Sequence, residues 1–233
     1  MDRYLRQLEL IGEEGQRKIS KAKVLVVGAG GLGSPVIAYL AGAGVGKLGI
    51  ADGDIVEEHN LQRQIIHAGK VGMNKAESAK EFVESINPDV EVVAYPFHVT
   101  SENVEDLVKE YDIVVSCPDN FKTRLLLNDA CIKFGKPMVH GAIYGFEGEI
   151  MTITGSPCYR CLYMSFPKVD ASAIAVMGFT AGFFGCIQAS ETIKLILGME
   201  VLEGKLFRGD LRSMEFFTIE IKPNPNCPTC SGD

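Results

Sequence analysis

The chain has 233 residues, of which 46% are hydrophobic and 23% charged, with a formal net charge of −7. This composition is typical of a folded protein with a sizeable core and excludes an intrinsically disordered chain. The acidic balance gives no electrostatic reason to bind nucleic acid. The sequence has neither a long apolar run nor a signal-peptide pattern, so we expect a cytoplasmic protein with reduced thiols and no membrane partner.

Strands and helices alternate through the first part of the chain. The sequence predicts helices at 4–20, 32–43, 74–86, 102–109 and 121–134. It predicts strands at 23–28, 47–51, 90–95, 112–117 and 137–142. Such alternation indicates an α/β fold with a doubly wound, Rossmann-like and mostly parallel sheet. The connection at 53–72 is long and polar, and connections of that length are usually functional.

The pattern changes after residue 145. Segments 147–153, 205–209 and 214–221 alternate like antiparallel strands, and a long helix is predicted near 181–197. We expect these strands to extend the same sheet. The predicted organisation is therefore one domain, 1–233, with an N-terminal helix (1–22), a core (23–145) and a sheet extension with a crossover segment (146–233).

A glycine-rich turn follows the first strand and opens the next helix. It reads Gly28-Ala-Gly30-Gly31-Leu-Gly33-Ser34. Glycines let the backbone approach phosphates, and the helix N-terminus supplies N–H donors. Asp52 ends the second strand, where a carboxylate commonly binds a ribose. Residues 23–145 are thus predicted to be a nucleotide-binding core, although the spacing does not distinguish NAD from ATP.

The polar connection after Asp52 favours a triphosphate. Asn60, Arg63 and Gln64 are clustered there, and Lys75 opens the following helix. Two cations beside a glycine-rich turn suit a triphosphate better than a dinucleotide.

Asp119 and Asn120 follow the fourth strand, where a doubly wound fold presents ligand groups. A carboxylate at this place can hold Mg²⁺ together with substrate oxygens. The alternative for Asp119 is to be the N-cap of the helix that begins near residue 121.

Two Cys-x-x-Cys pairs, Cys158–Cys161 and Cys227–Cys230, have the spacing of zinc ligands. Four thiolates fill every position of a tetrahedral Zn²⁺ ion and leave no open position for water, so the predicted site is structural. Two redox-active dithiols are the alternative. We expect Cys117, Cys131 and Cys186 to be small buried hydrophobic residues.

Six motifs follow one another along nearly the whole chain. They are Arg3-Tyr-x-Arg6-Gln7, Gly28-x-Gly-Gly-x-Gly-Ser34, Asn60-Leu-Gln-Arg-Gln64, Asp119-Asn120, Cys158-Tyr-Arg-Cys161 and Cys227-Pro-x-Cys230. Together they resemble the ThiF/MoeB/HesA group, the prokaryotic relatives of ubiquitin-activating enzymes. The Asn-Leu-Gln-Arg-Gln segment and the paired cysteines are not general features of nucleotide-binding folds.

The resemblance implies an ATP-dependent adenylyltransferase. Such an enzyme activates the C-terminal Gly-Gly carboxylate of a small ubiquitin-like (β-grasp) sulfur-carrier protein, releases pyrophosphate and prepares thiocarboxylate formation. The sulfur is expected to come from a donor protein or from sulfide. The motifs leave open whether the carrier serves molybdopterin, thiamine, tRNA thiolation or amino-acid synthesis.

The resemblance also assigns residues. It implies that Asp52 holds the ribose, that Asp119 binds Mg²⁺ and that Arg6 reaches into the site of a partner subunit, which requires a homodimer with composite sites. The expected catalytic residues are Arg6, Arg63, Lys75 and Asp119. The expected nucleotide site comprises Gly30, Gly31, Gly33, Asp52, Asp54, Asn60, Arg63, Gln64, Lys75, Asp119 and Asn120.

A substrate carboxylate is already ionised near neutral pH, so this chemistry needs no general base. We therefore predict no catalytic role for the four histidines, which are His59, His67, His98 and His140. Many relatives carry a cysteine between the first metal pair and the following helix, whereas this chain has Ala171 there. That departure puts a covalent sulfur relay in doubt but leaves adenylation untouched.

Three other functions compete with this interpretation. One is a related ATP-dependent ligase or dehydratase that acts on a peptide, a small carboxylate or a tRNA nucleoside. Another is an NAD-binding oxidoreductase, which leaves Arg6, Arg63 and the cysteine pairs unexplained. The last is a catalytically silent dimeric binding module, against which the retained Lys75 and Asp119 argue.

Overall fold

The computed structural model describes residues 2–163 and 175–231. Its strands are β1 (Lys23–Val27), β2 (Lys47–Ala51), β3 (Glu91–Tyr95), β4 (Ile113–Ser116), β5 (Met138–Tyr144), β6 (Glu147–Ile153), β7 (Lys205–Asp210) and β8 (Glu215–Glu220). Its helices are α1 (Leu5–Ile19), α2 (Gly33–Ala43), α3 (Lys75–Ile86), α4 (Val104–Lys109), α5 (Phe121–Lys133), α6 (Tyr159–Leu162) and α7 (Gly178–Leu197).

The eight described strands form one sheet in the order β3-β2-β1-β4-β5-β6-β7-β8. Strands β3, β2, β1, β4 and β5 pair in parallel, and β6, β7 and β8 continue the sheet in antiparallel pairs. The predicted α/β fold, with its antiparallel C-terminal extension, is confirmed. The division of the chain at residues 22 and 145 stays a prediction.

Strand β1 is buried on both faces of the sheet and lies in the interior of the molecule. Val24 and Val26 pack into the core on one side of the sheet, and Leu25 and Val27 into the core on the other. Side chains of a strand alternate between the two faces, so a run of apolar residues requires a cover on each side. Helices α2, α3 and α7 cover the first face, and α4 and α5 cover the second.

Two elements differ in detail from their prediction. Helix α1 is kinked at Gly12, whose φ of 67° lies in the left-handed region that glycine tolerates. The connection at 53–72 contains two short 3₁₀ helices, Glu58–Asn60 and Ile65–His67. Within the described ranges, none of the helices is long and apolar enough to cross a membrane.

The turn between β1 and α2 requires glycine at two positions. Gly28 has a φ of +94°, and a Cβ atom there would lie 2.7 Å from the carbonyl oxygen of Cys117 at the end of β4. A Cβ on Gly33 would lie 2.0 Å from the carbonyl oxygen of Gly28. The first turn of α2 therefore starts directly against the backbone of β1.

Replacing Gly33 with alanine should distort this turn and lower the free energy of unfolding by about 1–3 kcal/mol, the usual range for an overpacked site. Gly42 in the same helix is the matched control, because a Cβ there meets nothing within 4 Å. Gly42→Ala should be neutral or stabilise the protein by about 0.5–1 kcal/mol. Urea unfolding of both variants measures the difference, and equal stabilities would contradict the tight approach.

Candidate nucleotide site and cysteine cluster

A cleft of about 840 Å³ opens where the parallel strands β1, β2 and β4 end. Ten of the eleven residues predicted for the nucleotide line it: Gly30, Gly31, Asp52, Asp54, Asn60, Arg63, Gln64, Lys75, Asp119 and Asn120. Gly33 is buried beneath the turn and does not line the cleft. Arg6 lies on the exposed side of α1, away from the cleft of its own chain.

Asp52 connects the end of β2 to the glycine-rich turn. One of its carboxylate oxygens accepts a hydrogen bond from the backbone N–H of Ala29 at 2.8 Å, and the other accepts one from Asp54 at 2.9 Å. Burial raises the pKa of Asp52, and these bonds together with the nearby Lys75 ammonium oppose the rise. Each oxygen retains a further lone pair for a ligand hydroxyl.

Lys75 is a buried cation at the start of α3. Its Nζ lies 3.0 Å from an Oδ of Asp54, whose side chain is 56% exposed. The His98 ring approaches the other oxygen of Asp54 at 3.8 Å. Because the aspartate is largely exposed, a ligand anion that enters the cleft can compete with it for the ammonium group.

The connection between β2 and α3 presents its polar residues in different ways. Asn60 is buried, and its side-chain oxygen accepts a hydrogen bond from the backbone N–H of Glu57 at 3.0 Å. The amide thus stabilises the loop itself. The Arg63 side chain passes close to the turn. A Cβ atom on Gly31 would lie 3.5 Å from the Cδ atom of Arg63.

Gln64 lies beneath the turn and is 3% exposed. Its Oε1 has no hydrogen-bond partner among the residues that the structure describes. A Cβ on Gly30 would lie 3.5 Å from its Nε2. Gln64 is therefore placed against the turn, and its contact with phosphates stays a prediction.

Asn120, and not Asp119, is the N-cap of α5. The Asn120 Oδ1 accepts a hydrogen bond from the Thr123 N–H at 2.9 Å, and its Nδ2 donates to an Oδ of Asp119 at 3.4 Å. The alternative N-cap role for Asp119 is therefore wrong. Its exposed carboxylate faces the cleft and is available to a cation.

Sequence reasoning missed Arg124, which lines the same cleft. The side chain is 7% exposed, and its Nε has no hydrogen-bond partner in the described part of the chain. Burying a cation is costly unless an anion compensates it, and none of the ion pairs among the described residues includes Arg124, so its position beside the cleft favours an anionic ligand. The sequence did contain a signal for Arg124. A cation in the first turn of a helix lies at the positive end of the helix dipole, where it is electrostatically unfavourable.

The four cysteines of the two pairs lie together. All four Sγ atoms lie within 4.8 Å of one another, with Cys158 and Cys227 at 3.7 Å and Cys161 and Cys230 at 3.4 Å. A tetrahedral ion with Zn–S bonds of about 2.3 Å places its sulfur atoms about 3.8 Å apart. A disulfide would need about 2.05 Å. The donor set and spacing therefore fit Zn²⁺ and contradict two separate dithiol pairs.

The cluster attaches the segment after β8 to the rest of the fold. The side-chain N–H of Asn128 on α5 donates to the Cys158 sulfur at 3.6 Å. Beside it, Asp129 accepts two hydrogen bonds from Arg160 at 2.6 and 2.7 Å and one from Thr229 at 3.0 Å. The four thiolates together would fill all four positions of a tetrahedral ion, which is typical of a structural zinc site.

Residues 3–229 match the ThiF family. The chain belongs to this family of adenylating enzymes. It is 47% identical to the SAMP-activating enzyme E1 of Haloferax volcanii, over 99% of this chain and 88% of that protein. It is 42% identical to the sulfur carrier protein adenylyltransferase of Thermus thermophilus, over 100% and 92%.

Another relative in the ThiF family is the adenylyltransferase and sulfurtransferase MOCS3 of Anopheles gambiae, which is 43% identical. That match covers 98% of this chain and 54% of the mosquito protein. Among solved structures, Escherichia coli MccB with MccA-N7isoASN has a TM-score of 0.90 at 20% identity, over 99% of this chain and 74% of MccB. The likeness to MccB shows a shared fold.

Ala171, at the position where the resemblance implies a cysteine in many relatives, lies outside the described residues.

Replacing Cys227 with serine should release zinc and lower the melting temperature by about 5–10 °C, because a structural metal contributes folding energy. Cys186→Ser is the matched control, since Cys186 lies on α7 outside the cluster. Zinc content by mass spectrometry and thermal unfolding would measure both effects. A full zinc complement in the Cys227 variant would contradict the ligand assignment.

Proposed function

We propose that the chain uses ATP to adenylate the C-terminal Gly-Gly carboxylate of a small ubiquitin-like sulfur-carrier protein, which is then converted to a thiocarboxylate. The observation that carries this proposal is the arrangement of three cations, Arg63, Lys75 and Arg124, and the exposed carboxylate of Asp119 around a cleft that begins at a glycine-rich turn. The relatives named as adenylyltransferase and activating enzyme support it.

The cleft suits a nucleoside triphosphate better than a dinucleotide. We place the ribose at Asp52 and the phosphates at the turn and the cations, all of which line the cleft. Guanidinium and ammonium groups fixed beside a glycine-rich turn match the charge of three phosphates. A nicotinamide dinucleotide has only two phosphates to meet these cations and leaves Arg6 and the cysteine cluster unexplained, so an NAD-dependent oxidoreductase is disfavoured.

Adenylation has one main obstacle. A carboxylate oxygen must attack the α-phosphorus, form a new P–O bond and break the bond to the departing pyrophosphate, although both reactants are anions. Fixed cations that face the cleft lower this repulsion and stabilise the negative charge that develops on the leaving group. Orienting the two reactants supplies much of the remaining acceleration.

Asp119 fits the role of magnesium ligand. Mg²⁺ in nucleotide sites is usually held by one or two carboxylates together with phosphate oxygens. Within its own chain the Asp119 carboxylate is exposed and has only the long contact with the Asn120 amide among the described hydrogen bonds. When bound, the ion would neutralise phosphate charge.

Arg6 supports a composite site in a homodimer. It is exposed on α1 and does not line the cleft of its own chain, so a catalytic role requires a second copy. The sulfur that completes the thiocarboxylate is proposed to come from a donor protein or from sulfide, in the cytoplasm.

Exchange of pyrophosphate into ATP tests the reaction and the magnesium ligand together. With Mg²⁺ and a carrier that ends in Gly-Gly, the wild-type protein should catalyse exchange, and a carrier that lacks its last glycine should not. Asp119→Asn should reduce the rate at least about 100-fold, because it removes the carboxylate that holds the metal. Asp106→Asn, at an exposed position outside the cleft, is the matched control.

Exchange that persists in the Asp119 variant would remove this residue from the mechanism. A zinc-loaded wild-type protein that binds ATP but is silent with every carrier would contradict the proposed substrate. That result would favour a peptide, a small carboxylate or a tRNA nucleoside.

Mixed dimers test the composite site. Arg6→Ala and Arg63→Ala homodimers should each be inactive. Co-refolding the two variants should recover about one quarter of wild-type activity, since half of the random dimers then contain one intact site. Mixtures that remain inactive while forming dimers, as measured by native mass spectrometry, would argue against a contribution of Arg6 across the interface.

A further inference from the structure

His67 is buried between the glycine-rich turn and helix α3, and the reaction proposed above assigns it no task. It closes the 3₁₀ helix Ile65–His67 and is 0% exposed. Its Nε2 lies 2.7 Å from the carbonyl oxygen of Ala29. Its Nδ1 lies 2.8 Å from the hydroxyl oxygen of Ser78 on α3. One imidazole therefore bridges the turn and the helix that carries Lys75.

The partners of the ring fix its tautomer. A carbonyl oxygen can only accept a hydrogen bond, so the proton lies on Nε2 and is donated to Ala29. The Nδ1 of the neutral ring then accepts from the Ser78 hydroxyl. Burial lowers the pKa of His67, the hydrogen bond to Ala29 opposes this, and the nearby Lys75 and Lys70 ammonium groups lower it further. A neutral ring adds no charge to the cleft, so any effect on a ligand passes through the backbone.

The bond to Ala29 determines the orientation of the next peptide group. The Ala29 carbonyl and the Gly30 N–H belong to one planar trans peptide, so they point in opposite directions. With the carbonyl held by His67, the Gly30 N–H is turned away from the ring. Gly30 lines the cleft and His67 does not. The N–H of Ala29 is in turn held by Asp52 at 2.8 Å, so this residue is fixed on both sides.

Such a restraint limits the backbone conformations of a turn that is rich in glycine. Glycine adopts many backbone conformations at little cost, so the Ala29–Gly30 peptide is intrinsically free to rotate. In the opposite orientation its carbonyl oxygen would be directed toward the ligand and would repel a phosphate. In the observed orientation the N–H is available to an anion.

We propose that His67 is a positioning residue that holds the Ala29–Gly30 peptide so that the Gly30 N–H meets the phosphates of the nucleotide. The proposal rests on the proposed use of ATP. It predicts that loss of the Nε2 donor weakens binding of the phosphates and leaves binding of the nucleoside unchanged.

Calorimetric titration of the zinc-loaded protein with an unreactive ATP analogue plus Mg²⁺, and separately with adenosine, tests this prediction. His67→Phe, which keeps a ring but has no donor, should weaken binding of the ATP analogue about tenfold or more, as expected for a lost hydrogen bond near a charged group. Adenosine should bind as it does to the wild type, because it has no phosphate.

Two amide variants form a matched pair that differs by one methylene group. His67→Gln carries an N–H near the position of Nε2 and should restore most of the affinity for the ATP analogue. His67→Asn is too short to reach the Ala29 carbonyl and should not restore it. Ser78→Ala leaves the Nε2 donor in place and should bind the analogue almost as tightly as the wild type.

Each outcome decides between the proposal and a purely structural role. Wild-type affinity for the ATP analogue in His67→Phe, or an equal loss for the analogue and adenosine, would overturn the proposal. If the Phe variant does not fold, equal affinities of the Gln and Asn variants would overturn it instead. A wild-type protein that binds adenosine and the ATP analogue equally weakly would contradict the proposed function itself.

Discussion

The close approach of backbone atoms in the turn between β1 and α2 is the constraint on which the rest of the structure depends. The carbonyl of Gly28 lies where a side chain on Gly33 would begin, and Gly28 itself lies against the end of β4. This contact sets the first turn of α2 directly over the end of the central strand. It thereby places the glycine-rich turn at the wall of the cleft, where Gly30 and Gly31 line it.

Charge is arranged around this cleft from three separate parts of the chain. Arg63 comes from the connection after β2, Lys75 from the start of α3 and Arg124 from the first turn of α5. Two of the three are buried, and buried cations destabilise a fold unless an anion compensates them. Asp54 compensates Lys75 within the chain. Under the proposed function, the phosphates of one nucleotide would meet all three cations, and the restrained peptide beside His67 would add a neutral donor.

Helix α5 connects the cleft with the cysteine cluster. Its N-cap, Asn120, lies beside Asp119 in the cleft. Two turns further on, Asn128 accepts a hydrogen bond from the Tyr159 N–H at 2.8 Å and donates to the Cys158 sulfur. A metal bound by the four thiolates would therefore be connected to the middle of the helix whose N-terminal end lines the cleft.

The sequence by itself determined the features that depend on near neighbours. The alternation of strands and helices, the glycine-rich turn and the spacing within each Cys-x-x-Cys pair are all set within a few residues, so local patterns reveal them. The cysteine motifs also predicted one shared ion, and tertiary structure brings the two pairs, 69 residues apart, to one point. Tertiary structure alone decided that Arg124 faces the cleft and that Asn120 takes the N-cap in place of Asp119. It also decided that His67 meets Ala29 across 38 positions. Such contacts depend on how whole elements pack, and no local periodicity records them.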